Sequence, residues 1–212
     1  DGEVFWMDQI GFEAALIDLS NAKARVWLQG ILGELIATGV DGWMADFAEG
    51  LPLNIQTNQH PDSLHNQWPQ LWADINRNAL ENAGIWDDAL VFHRSGNADS
   101  PVSARGFWIG DQLVTWDAFD GLQTVVPALI NSGLSGYSMQ HADTGGYLSV
   151  ETLGVTRNRE LFQRWVELNA FTPLLRLHST NQPEVNHQWN TDDETKTHLV
   201  KLVTAYAALA SY

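Results

Sequence analysis

Residues 41–52 read DGWMADFAEGLP, an apolar strand that ends on Asp46 and turns at once into a Gly/Pro loop. FWIGDQLVTWD at 107–117 repeats the design, with Asp111 at the mouth of a second strand. A single strand-end Asp usually caps a turn or a helix, and Asp41, Asp117 and Asp120 read that way. Asp46 and Asp111 stand apart because the same aromatic context surrounds both, with Trp43 and Trp108 flanking them. Two carboxylates presented so are what glycosidic bond cleavage asks for. One must be ionised to attack or stabilise an oxocarbenium-like carbon, and the other must hold a proton for the leaving oxygen.

Working outward, strands and helices alternate. AALID (14–18) is a short apolar run, and a helix follows from Ser20 or Asn21, carries Val26, Ile31, Leu32, Leu35 and Ile36 at helical spacing, and stops at Gly39. After the GWMADF strand, a polar loop at 49–62 leads into a helix over 63–82 that Pro69 bends or re-starts, with Gly84 as its C-cap. ALVFHR (89–94) and GFWIG (106–110) are the next strands. A helix over 121–131, a fifth strand LSGYSM (134–139), a helix around 158–169 and a last one from 192 complete the pattern. Thr191 and Glu194 stand at capping-box spacing before that last helix.

This alternation predicts an α/β fold with a parallel sheet. The chemically informative residues (Asp46, Arg94, Asp111 and the His141–Asp143 turn) all fall at strand C-terminal ends, where barrels and doubly wound sheets keep their sites. No Gly-rich dinucleotide fingerprint or P-loop follows any strand, which favours a (β/α)8 TIM barrel. Five strands cannot close one, and a full barrel takes about 250 residues. The expectation is therefore that residues 1–212 are an incomplete portion of a barrel, short of strands at both ends. The chain opens on Asp1 without an initiator Met, so a targeting segment could precede it.

Composition narrows the partners. A net charge of −15 argues against a nucleic-acid groove or an anionic membrane surface. No apolar run reaches the roughly 18 residues of a membrane span, and a cytoplasmic location is expected. The chain has no cysteine, which removes disulfides, thiolate zinc sites and thiol nucleophiles together. His141, Asp143 and His178 invite a metal reading, but there is no HExxH motif or tight ligand pair, and no metal is expected. The ten tryptophans are spread along the chain. Trp27, Trp72 and Trp165 lie on helical patterns and read as core. Trp43 and Trp108 read as pocket walls, offering flat faces to the C–H face of a sugar.

Arg94 ends an otherwise apolar strand, where a guanidinium needs a partner: a structural carboxylate, a catalytic Asp or a substrate hydroxyl. His93, on the opposite face, reads as a satisfied packing residue. His178, in FTPLLRLH, reads as a neutral donor to sugar hydroxyls or a surface histidine. Tyr147 follows Gly145 and Gly146, whose flexibility would let the phenol swing toward a cleft.

The sequence resembles glycoside hydrolase family 31, and within it the sulfoquinovosidases. The resemblance runs through LIDLSNA, GWMADFAEGLP, LHNQWPQLWA, FWIGDQLVTWDAFDGLQTVVPALI, HADTGGY and FTPLLRLHSTNQPEVNHQW. Where typical α-glucosidases and α-xylosidases of the family carry a W-x-D-x-N-E-P-like motif, this chain has WMADFAEGLP. Where glucosidases commonly end a turn in Gly-Gly-Phe or Cys-Gly-Phe, it has Gly-Gly-Tyr. The resemblance implies a retaining hydrolase with Asp46 as nucleophile and Asp111 as general acid/base. It implies sugar-binding or supporting roles for Arg94, Asp143 and His178, a sulfonate contact for Tyr147, and no metal or organic cofactor. It also implies that the family's β-domains, the other barrel strands and an Arg and Trp of the sulfonate clamp lie outside these residues, so that the fragment alone would be inactive. The implied partner is a carbohydrate, a sulfoquinovosyl glycoside or another α-glycoside. An α-glucosidase or α-xylosidase is the alternative within the family, and a non-catalytic carbohydrate-binding barrel is the alternative outside enzymes.

Overall fold

The computed structural model describes residues 3–9, 12–57 and 59–210. The chain divides into two compact units, Asp1–Gly106 and Phe107–Tyr212.

In the first unit, β1 (Trp6–Asp8) and β2 (Glu13–Ala15) form an antiparallel pair. The AALID run therefore enters a hairpin, because its backbone pairs with Trp6–Asp8 and Leu16 N–H goes on to Phe5 O at 3.3 Å. Helix α1 (Ala22–Ala37) begins where expected, with the Asn21 side chain accepting from Lys23 N–H. Trp27 departs from its expected core role. It is 57% exposed, and Val26 and Ile31 are exposed with it. The face of α1 turned inward carries Leu28 and Leu32, which pack against the core cluster of Leu19, Leu51, Leu64, Trp68 and Ile75.

β3 (Gly42–Met44) follows, then a loop, then a helical stretch that is broken rather than bent. A short helix α2 (Pro61–Leu64) and a 3-10 turn His65–Gln67 precede α3 (Trp68–Ala83). Pro69 sits in the first turn of α3, where its missing N–H costs no hydrogen bond. The buried positions of α3 (Trp68, Pro69, Ala73, Ile75, Asn76, Ala79 and Leu80) fall on one side at helical spacing. That side covers β3 and β4 (Leu90–His93), which run parallel with Trp43 opposite Val91 and Met44 opposite Phe92.

In the second unit, β5 (Gly106–Trp108, its first residue still in the first unit) lies beside β6 (Met139–His141), and Ile109 N–H donates to His141 O at 3.1 Å. Helix α4 (Val125–Leu134) takes up the start of the segment expected as a fifth strand. Its end is closed by Ser135, Gly136 and Tyr137 N–H groups donating to Asn131, Gly133 and Ser132 carbonyls, so the strand begins only at Met139. Leu134 is an exposed helix end, not a strand residue. Parallel bridges at Leu113–Leu148 and Thr144–Leu177 extend the pairing beyond the named strands.

Helix α5 (Arg159–Asn169) matches the expectation closely, with the Asn158 side chain accepting from Leu161 N–H. Leu161, Phe162, Trp165, Val166 and Asn169 form its buried side, and the Asn169 amide donates to Ala142 O at 2.9 Å and Thr144 Oγ1 at 2.7 Å. Trp165 is the core residue the sequence suggests, and losing a side chain of that size would cost about 3–5 kcal/mol. Helix α6 (Asp193–Ala208) is capped by Asp192, which accepts from Thr195 N–H at 2.7 Å. The expected Thr191–Glu194 box does not form, because Thr191 Oγ1 accepts from Gln188 N–H and Glu194 pairs with Arg159. Among the described residues, no helix is long and apolar enough to cross a membrane. The strands beyond the hairpin, β3 to β6, are half the eight of a closed barrel.

Candidate active site

The register of β3 and β4 positions the candidate residues of the first unit. Pairing of Met44 with Phe92 continues through Ala45 N–H donating to Phe92 O at 2.9 Å, which brings Asp46 level with Arg94, two residues on in each strand. Both side chains leave the same face. Arg94 Nη2 lies 2.8 Å from Asp46 Oδ1, and Arg94 Nε donates to Glu49 Oε1 at 2.5 Å. Asp46 Oδ1 also accepts from Phe47 N–H at 2.9 Å. An ionised carboxylate is the form such donors stabilise.

Phe47 itself has φ 66°, a left-handed conformation that bulky residues avoid at a cost of order 1–2 kcal/mol. The strain sits on the residue directly after the candidate nucleophile. Its ring lies under the Arg94 guanidinium, 5.2 Å from Cζ, so the turn that holds the backbone in this form also closes around the ion pair.

Trp43 takes the other face. Its indole N–H donates to Asn76 Oδ1 at 2.7 Å, Asn76 donates to Trp72 O, and Trp72 donates to Ala45 O. The expected pocket wall is thus a packing residue under α3, because strand alternation sends odd-numbered side chains of β3 toward the helix. His93 also packs on that face. It is buried, burial lowers its pKa to about 4, and its Nε2 has no hydrogen-bond partner among the described residues.

The second unit assembles the remaining candidates around Gln112. Asp111 follows Gly110 and is half-buried. The buried Gln112 side chain donates to Ile109 O at 2.6 Å, and its backbone carbonyl accepts both Tyr147 and Leu148 N–H, each at 2.9 Å. The loops carrying Asp111 and Tyr147 are therefore laced by one carbonyl. Trp108 is completely buried and shows no face to a ligand.

Past β6, Thr144 N–H donates to Arg176 O at 3.0 Å and His178 N–H to Thr144 O at 3.3 Å. This brings Asp143 beside Arg176, whose Nη2 donates to Asp143 Oδ1 and whose Nε donates to His141 Nε2 at 3.1 Å. His141 is buried and neutral, its pKa lowered to about 4 by burial and then by the Arg176 charge. His178 stands edge-on to the Tyr147 ring, 4.9 Å between centroids. Burial, then Arg176 and Arg157, lowers its pKa to about 4. Thr180 N–H donates to its Nδ1 at 2.9 Å, so the neutral ring carries its proton on Nε2. A neutral ring in that form can donate through Nε2–H.

The Gly145–Gly146 pair is not the flexible hinge expected. Both residues are buried with φ of 101° and 75°. A Cβ on Gly145 would collide with Arg157 Nη1, and one on Gly146 would lie 3.1 Å from the Trp165 ring. The pair serves a close, left-handed turn, and Tyr147 is held rather than loose.

Glu49, Arg176 and Arg157 were not singled out in the sequence. Arg176 carries the signal that marks Arg94, a guanidinium inside an apolar run (PLLRLH). Asp117, expected as a turn residue, is one. It accepts from Phe119 and Asp120 N–H, and its pKa is lowered to about 2, chiefly by the Thr115 hydroxyl.

Three comparisons bear on this arrangement. A sulfoquinovosidase of Agrobacterium fabrum is 38% identical over all of this chain, and one of Escherichia coli 37% identical over 95% of it. The solved structure of a GH31 family sulfoquinovosidase from E. rectale, in complex with an aza-sugar inhibitor, superposes with a TM-score of 0.95 at 38% identity and covers the whole chain. The chain spans about a third of the length of these relatives: 32%, 30% and 32%. Residues 1–212 match the glycosyl hydrolases family 31 TIM-barrel domain throughout. The alternation of strands and helices, the carboxylates at strand ends and this end-to-end match lead to one assignment: the chain belongs to glycoside hydrolase family 31, within its TIM-barrel domain.

Proposed function

We propose that the chain is part of the catalytic barrel of a retaining glycosidase that releases sulfoquinovose from its α-glycosides. The observation that carries this reading is the similarity, along the entire chain, to the Agrobacterium fabrum sulfoquinovosidase. The chemistry assigned to the residues is double displacement. Asp46, held by Arg94 and the Phe47 N–H, attacks the anomeric carbon while Asp111 gives its proton to the departing oxygen. A covalent glycosyl-enzyme forms, and Asp111 then takes a proton from the water that hydrolyses it.

The supporting roles are those the family resemblance implies, and the geometry is compatible with them. Arg94 aligns the nucleophile and Glu49 anchors Arg94. Asp143, fixed by Arg176, accepts from sugar hydroxyls, and the His178 Nε2–H donates to them. Tyr147, steadied by Gln112 and His178, offers its hydroxyl to the sulfonate. No metal or organic cofactor enters any step.

A panel of nitrophenyl glycosides of sulfoquinovose, glucose and xylose, assayed with the full-length protein, tests the reading. The sulfoquinovoside should be turned over fastest, with the anomeric configuration retained in the first-formed product. A preference for glucose or xylose would assign a different activity within the family. Sugar binding without turnover would leave only a carbohydrate-binding barrel.

A further inference from the structure

Arg157, in the segment before α5, is 2% exposed, and no carboxylate among the described residues lies within ion-pair distance of it. Its guanidinium is satisfied by neutral acceptors instead. Nε donates to His187 O at 2.8 Å, Nη1 to His178 O at 2.9 Å and Nη2 to Gln188 Oε1 at 3.2 Å. The Phe162 ring lies 5.0 Å from its Cζ. Burial lowers its pKa to about 10, which leaves it charged at neutral pH.

A buried charge normally brings a counterion, because an uncompensated one is costly. Carbonyl dipoles satisfy the N–H groups here without cancelling the net charge. That charge sits directly behind two functional segments. Nη1 occupies the space a Cβ on Gly145 would need, in the turn that leads to Tyr147, and it holds the carbonyl of His178 itself. The neighbouring histidines, His178 and His187, have pKa values lowered first by burial, with the Arg157 charge contributing to both and Asp192 opposing it at His187. Arg176 beyond them is already paired with Asp143, so it is the Arg157 charge that lacks a carboxylate among the described residues. On a chain of net charge −15, admitting an anion requires a local positive potential of this kind.

We propose that Arg157 is a specificity-determining residue: its uncompensated buried charge biases the Tyr147–His178 face toward a sugar bearing an anionic substituent. The proposal rests on the reading of that face as part of the sugar site. Arg157 touches no substrate and acts through its field.

The test uses the full-length enzyme and the ratio of kcat/KM for a sulfoquinovoside to that for the matching glucoside. Both substrates are measured on one preparation, so the folded fraction cancels. Arg157→Gln should lower the ratio about tenfold, the scale of one charge acting across several ångströms of protein. Arg157→Lys should keep the ratio at neutral pH, or lose it only as pH rises, since a buried lysine gives up its proton far more readily than arginine. Equal losses on both substrates in Arg157→Gln overturn the proposal. If Arg157→Gln yields no folded protein, Arg157→Lys decides: a ratio already lost at neutral pH and flat with pH overturns it. A wild-type enzyme that shows no preference for the sulfoquinovoside defeats the functional reading itself, before any Arg157 variant is considered.

Discussion

Arg94 Nη2 stands 2.8 Å from Oδ1 of Asp46, and the strand register that pairs Met44 with Phe92 is what puts them there. The same guanidinium reaches Glu49 through Nε, so one cation is shared by two carboxylates, all three side chains largely shielded from solvent. Removing it would take away the cation that the two carboxylates share. Arg94→Met should lower kcat/KM of the full-length enzyme by roughly ten- to a hundredfold, the equivalent of about 1.5–3 kcal/mol for a charge-assisted hydrogen bond. Arg94→Lys should recover only part, because an ammonium cannot span both acceptors as a planar fork does. Unchanged kcat/KM in Arg94→Met would show that Asp46 needs no such alignment.

Asp111 should reveal its role through the leaving group. In Asp111→Asn the amide has no proton to give, so alkyl glycosides should slow by orders of magnitude more than an activated nitrophenyl glycoside. Added azide should speed the activated substrate, replacing the water that now lacks a base. Equal slowing of both substrates would remove the acid assignment.

Gly145 should tolerate no side chain. At φ 101°, with Arg157 Nη1 where a Cβ would go, Gly145→Ala adds backbone strain to a steric clash. The expected loss is about 2–4 kcal/mol in urea unfolding, by the usual costs of left-handed backbone and overpacking. Gly146→Ala, whose Cβ would meet the Trp165 ring at 3.1 Å, should cost less. Equal costs at the two positions would mean that Arg157 yields easily and does not fix the turn.

Stability should fall as the protein is acidified below neutral. His93, His141 and His178 have folded pKa values lowered to about 4, against about 6.5 when unfolded. Between those values the unfolded chain binds more protons than the folded one. The stabilisation is therefore complete above about pH 6.5 and is lost as pH falls toward 4, by up to about 1.4 kcal/mol per pH unit for each fully shielded ring. His178, which is partly exposed, should contribute least. Urea midpoints measured from pH 7.5 to 4.5 check this, and His93→Gln should flatten the slope. An unchanged slope in that variant would show that His93 does not stay neutral in the fold.

Much of this was legible in the amino-acid order because it depends on neighbours a few residues apart. The helical spacing of Leu161, Phe162, Trp165 and Val166 and the Asn158 cap define α5, and an apolar strand ending in a lone charge marks Asp46 and Arg94. What the spacing leaves open is which partner each face meets. Trp43 looked like a pocket wall beside Asp46, yet alternation turns it onto Asn76, a residue whose position depends on how α3 packs across the strand. The Gly145–Gly146 pair looked flexible, and only the buried Arg157 and Trp165 behind it show why side chains are excluded. Local periodicity says which side of an element is apolar. Register between strands some fifty residues apart, and the burial that holds His141 and His178 neutral, arise only when long-range contacts form, so the tertiary structure alone decided them.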